Sequence, residues 1–133
     1  MSVTTLYRDE KAAKSVETIS AARILKDGDT GKVFILSAAA GAAVSLPAPK
    51  AGLNFKFITG SAFATTAWTI VCPSAIGQGG AIVNSTFVPA ANETTITLSA
   101  SAETVGDYLD IISDGTNYYI SGVGAAASSI AFA

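Results

Sequence analysis

The sequence predicts an all-β fold, a compact sandwich or barrel of about nine short strands, preceded by an extended N-terminal arm. Two observations carry that prediction. Short apolar runs alternate with polar residues at period two, as in Leu53, Phe55 and Phe57 against Asn54 and Lys56, or Ile96 and Leu98 against Thr95 and Thr97. Between the runs stand dense turn signals: Asp27-Gly28-Asp29-Thr30-Gly31, Pro47-Ala48-Pro49-Lys50-Ala51-Gly52, Gly77-Gln78-Gly79-Gly80 and Asp114-Gly115.

From the N-terminus, residues 1–20 differ in character from the rest. Tyr7-Arg8-Asp9-Glu10-Lys11-Ala12-Ala13-Lys14 is charged, and Ala12, Val16 and Ile19 make only a narrow, uncapped helical stripe. An isolated helix of that length is marginal, so the segment reads as a flexible arm that orders on a partner. The β domain is expected over 21–133, with strands at 21–26, 32–37, 43–46, 53–59, 67–72, 81–87, 94–99, 107–113 and 117–122. Gly77-Gln78-Gly79-Gly80 reads as a hairpin connection, because it lacks the Lys and the helix start that a phosphate loop needs. The Ala/Ser-rich tail ends Ile130-Ala131-Phe132-Ala133 and fits either an edge strand or a segment laid across a neighbour.

Asp114-Gly115 between two β-branched and aromatic runs is the strongest hairpin signal in the chain. A two-residue turn would set Ile111 opposite Tyr118; a loop over 114–117 would set it opposite Ile120. Both loops have even length, so Leu109, Ile111, Tyr118 and Ile120 share one apolar face in either case. The other face carries Tyr108, Asp110, Asn117, Tyr119 and Ser121, with Ile112 as its aliphatic exception.

Composition excludes several chemistries. The 133 residues make one domain, able to bury roughly two thirds of the unfolded surface. Half of them are hydrophobic and 14% are charged, the balance of a protein that hides surface against copies of itself or a partner. No histidine is present, which removes His bases, His triads and His metal sites. The single cysteine, Cys72, allows no intrachain disulfide and no multi-Cys zinc site; it shares a strand face with Trp68 and Ile70 and reads as a small buried hydrophobe. No secretory or membrane-spanning run is visible, so the chain is expected to be made in a cytoplasm and to need no membrane.

Charge divides the chain. Before position 57 eight basic residues meet five acids, leaving +3; after it there are five acids and no Lys or Arg. Such a split suits partners that meet in a fixed orientation, or is a scatter of small surface charges. Basic residues interleave with acids and form no patch with stacking aromatics, which excludes nucleic acid.

Candidate constellations are thin. Asp27-Gly28-Asp29 resembles the opening of a calcium loop without its later ligands, and reads as a tight turn. Asp107 and Asp110 invite a two-carboxylate reading, but their odd spacing puts them on opposite strand faces. Tyr108 and Tyr119 are the better candidates, because tyrosine supplies rigid contact area and one hydrogen bond.

One resemblance stands beside this reading. Leu25-Lys26-Asp27-Gly28-Asp29-Thr30-Gly31-Lys32-Val33-Phe34-Ile35-Leu36 leads into Val44-Ser45-Leu46-Pro47-Ala48-Pro49 and Ala51-Gly52-Leu53-Asn54-Phe55-Lys56-Phe57-Ile58, and the chain closes with the Asp114-Gly115 hairpin. This pattern, over about 25–122, resembles small β-rich structural proteins of tailed bacteriophages, most of all capsid decoration (cement) and head-fibre proteins. The resemblance implies a homotrimer on the exterior of the virion head, assembled in the host cytoplasm, bound to the major capsid protein and engaging the shell through its arm. It implies no enzyme activity, no catalytic residue, no metal and no cofactor. Tyr7, Arg8, Lys11 and Lys14 are then the expected capsid contacts of the arm. Trp68, Phe87, Tyr108 and Tyr119 are the expected subunit-interface residues. The alternative is a receptor- or glycan-binding module of a head or tail fibre.

Overall fold

Two mixed sheets face each other across the core in the computed structural model, which describes residues 14–133. The strands are β1 (Val16–Ile19), β2 (Arg23–Ile24), β3 (Val33–Leu36), β4 (Ala43–Ser45), β5 (Asn54–Thr59), β6 (Trp68–Val71), β7 (Gly77–Val83), β8 (Thr86–Glu93), β9 (Thr95–Leu98), β10 (Tyr108–Ser113), β11 (Tyr118–Gly124) and β12 (Ile130–Phe132). One sheet has seven strands in the order β1-β3-β5-β10-β11-β7-β8; the other has five, in the order β12-β9-β6-β4-β2. No helix among the described residues is long and apolar enough to cross a membrane.

The first six strands wind alternately between the sheets. β1, β3 and β5 run parallel in one layer while β2, β4 and β6 run parallel in the other. Parallel neighbours need a long crossover, and here each crossover is itself a strand of the facing sheet. The remaining pairs are antiparallel, with β10 joining β5 and β11, β7 joining β8, and β9 joining β6 and β12, except that β11 and β7 run parallel.

Period-two alternation fills the space between the layers. Phe34, Phe55, Phe57, Leu109 and Ile111 point inward from the seven-stranded sheet, and Val44, Trp68, Ile70 and Ile96 from the five-stranded one; all are buried. Phe34 and Phe57 stack with ring centroids 5.5 Å apart. Burying each such side chain contributes about 1.5–3 kcal/mol, so the core outweighs any surface ion pair.

The closing hairpin resolves the loop choice. Ile111 pairs with Ile120 and Ser113 with Tyr118, so residues 114–117 form a four-residue loop. Asp114 Oδ1 accepts the backbone N–H groups of Thr116 and Asn117, each at 2.8 Å, and Gly115 supplies a φ of +101°. Leu109, Ile111, Tyr118 and Ile120 are all buried, while Ile112 faces outward.

Three expectations change and one open choice is settled. The arm expected over 1–20 gives up its end, because Val16–Ile19 pairs with β3 and starts the seven-stranded sheet. The tail takes the edge-strand alternative, as Ile130–Phe132 pairs with β9. Gly77-Gln78-Gly79-Gly80 is not a hairpin connection but the first half of β7. A Cβ at Gly79 would strike the Ile120 carbonyl oxygen of β11 and one at Gly80 the Val88 carbonyl oxygen of β8, so this run is glycine-rich because both neighbouring strands pass too close for side chains. The strand expected at 81–87 is instead a hairpin: Val83 pairs with Thr86 across a two-residue turn, with Asn84 and Ser85 both at positive φ.

Candidate functional site

Alternation leaves one face of the seven-stranded sheet to solvent, and register arranges it in transverse rows. Ile35 pairs with Ile58, Ile58 with Tyr108, Tyr108 with Val123, Val123 with Ile82, and Ile82 with Phe87. Six apolar side chains from six strands therefore stand in a single line. Exposure rises along it, from half-buried Ile35, Ile58 and Tyr108 to Val123 at 39%, Ile82 at 43% and Phe87 at 56%. The row is continuous across six of the sheet's seven strands.

A second row lies one pleat away, with Lys56 opposite Asp110. The Lys56 ammonium is 3.9 Å from Asp110 Oδ2 and 4.8 Å from the centroid of the Tyr108 ring, which it caps from the polar side. The third row contains Asn54, Ile112 and Tyr119. The Tyr119 hydroxyl donates to Asp114 Oδ2 at 3.1 Å, tying the ring to the hairpin loop. Backbone hydrogen bonds from Asn117 and Thr116, joined by the one from Tyr119, hold the Asp114 carboxyl below its ordinary range. The second and third rows enclose a trough of about 330 Å³, which Lys14 borders.

The expected interface residues separate on this face. Tyr108, Tyr119 and Phe87 all lie on it. Trp68 does not: it is fully buried in the chain's own core, at 0% exposure, and offers no surface to a neighbour. A large aromatic on a well-alternating strand reads the same from sequence whether it packs within a subunit or between two. Of the expected arm contacts, Lys14 is exposed beside the trough, whereas Tyr7, Arg8 and Lys11 lie outside the described residues. Ile35, Ile58, Ile82 and Val123 complete the ribbon and were not singled out by sequence. Their only signal was an aliphatic residue at a solvent-facing position, as at Ile112.

The remaining constellations are structural. Asp29 in the tight turn over Asp27–Asp29 accepts from Lys26 N at 2.9 Å and Lys32 Nζ at 3.0 Å, and pairs with Arg23. Burial raises its pKa, but these partners together outweigh that and hold the carboxyl below its ordinary value. Asp27 pairs with Lys50, and Glu17 with Arg23 and Lys32, so much of the basic front half is neutralised by its own acids. Asp107 is buried and accepts from Thr104 N and Ala125 N, on the side away from Asp110. Cys72 is buried, and burial pushes its thiol up to about 11. Among the described residues no three His, Cys, Asp or Glu side chains converge to hold a metal ion.

Comparison with family models, with curated proteins and with solved structures gives no match to this chain.

Proposed function

We propose that this chain is a capsid decoration protein, a non-enzymatic subunit that seats on the exterior of a phage head and stabilises contacts between major capsid subunits. The apolar row from Ile35 to Phe87 supports this reading. Val123, Ile82 and Phe87, at 39%, 43% and 56% exposure, gain little as a monomer, whereas covering the whole row of six removes a continuous strip from water. Specific interfaces bury about 800 Å² per partner, and a ribbon crossing six strands is wide enough to anchor one.

The arm adds to this surface. In a trimer, three arms acting together raise avidity by on the order of 10²–10⁴ over one. The residues proposed for these contacts are Tyr7, Arg8, Lys11 and Lys14.

Co-sedimentation with heads that lack the protein tests the reading. The wild-type chain is expected to pellet with heads, and Ile82→Asp or Val123→Asp to remain in the supernatant while staying folded, because both positions are half-exposed. Deleting residues 2–13, which leaves β1 intact, is expected to weaken binding. Binding unchanged in all three variants contradicts the proposal, as does a wild-type chain that never pellets.

A further inference from the structure

We propose that the trough at the Tyr119 end of the outer face is a binding site for a saccharide that carries a carboxylate. This site lies off the ribbon that the capsid reading uses and shares with that reading only Lys14, which borders the trough.

The occupant must be recognised by side chains alone. The trough lies over β3, β5, β10 and β11, each hydrogen-bonded to a neighbour on both sides. No free strand edge is available there, so an extended peptide could not add its backbone to the sheet. What the trough does present is a ring and scattered polar groups. Tyr119 is 44% exposed with its hydroxyl tied to Asp114, and Ile112 stands directly opposite it on β10. Together they make a flat apolar platform, suited to the C–H face of a pyranose ring.

Hydroxyl partners stand around that platform. Asp110 and Lys56 are 3.9 Å apart, beyond hydrogen-bond length, so each keeps bonding capacity for a ligand. Ser121 lies beside them on β11. Charge selects the acid: Lys14, Lys32 and Lys56 line the trough against the single carboxylate of Asp110. Lys32 is held by Asp29 and Glu17, so among the described residues Lys14 and Lys56, the latter facing Asp110 at 3.9 Å, are placed to meet the sugar carboxylate. A volume of about 330 Å³ is at the small end of ligand sites and fits about one or two sugar rings.

Saturation-transfer NMR on the full chain tests this with methyl glucuronoside, methyl glucoside and a short Asp/Glu peptide as probes. The glucuronoside is expected to bind in the millimolar range and more weakly at high salt. Tyr119→Ala and Lys56→Gln should each weaken it by about tenfold, the loss of one good contact. Tyr119→Phe, which keeps the ring, should retain binding, and Phe87→Ala on the far rim should leave it unchanged. The proposal is overturned if no saccharide binds, if the neutral glucoside binds equally well, or if only the acidic peptide binds. Those outcomes leave sedimentation with heads untouched, because that assay reads Ile82 and Val123.

Discussion

The Tyr118 hydroxyl donates to the carbonyl oxygen of Pro47 at 2.8 Å, tying the closing hairpin of one sheet to the chain as it leaves β4 of the other. Tyr118 is fully buried, so its phenol has no water to fall back on. Tyr118→Phe removes the bond and leaves the carbonyl short of a partner. Stability should fall by about 1–2 kcal/mol, read as a lower urea midpoint at unchanged m-value.

The same burial predicts sensitivity to alkali. Burial raises Tyr118 from 10.0 to about 12, with smaller contributions from the nearby Cys72 and Asp27 charges, and burial raises Cys72 from 9.0 to about 11. Both groups stay neutral in the fold at pH values where the unfolded chain ionises. Their contribution is therefore complete below about pH 9 and is lost as pH rises from there through about 12. Urea midpoints measured from pH 7 to 12 should be level at first and then decline, and the decline should begin later in Cys72→Ala.

At the β7–β8 turn the chain accepts strain. Ser85 sits at φ +64° beside Asn84 at φ +48°, the conformation of a type I′ turn, for which Asn-Gly is the favoured pair. Ser85→Gly relieves the side-chain clash of a left-handed residue and should raise stability by about 1 kcal/mol. Thermal unfolding checks it, with a higher Tm expected.

Gly79 is the opposite case. Its φ is +109°, and an added Cβ would run into the Ile120 carbonyl oxygen on β11. Gly79→Ala should force β7 from β11 and lower stability by about 2–4 kcal/mol, seen as lost amide protection along both strands.

These positions also mark what the sequence could convey. The faces of the closing hairpin were legible because either even-length loop puts Leu109, Ile111, Tyr118 and Ile120 together. The alternation of β5 and the burial of Cys72 were legible for the same period-two reason. β1 was not, because its partner β3 is parallel and follows only after an excursion through the other sheet. β7 was missed because glycine signals a turn locally, while its cause here is the close approach of the neighbouring strands β11 and β8. Tyr108 and Tyr119 announced a contact face, yet the ribbon that Tyr108 belongs to draws on six strands that only topology aligns.

Cryo-electron microscopy of intact virions is the decisive measurement. Density for this domain is expected on the head exterior, at junctions between major capsid subunits, with the Ile35-to-Phe87 face turned toward a protein neighbour. Density on the tail, or a domain on the head whose ribbon faces open solvent, would contradict the proposal.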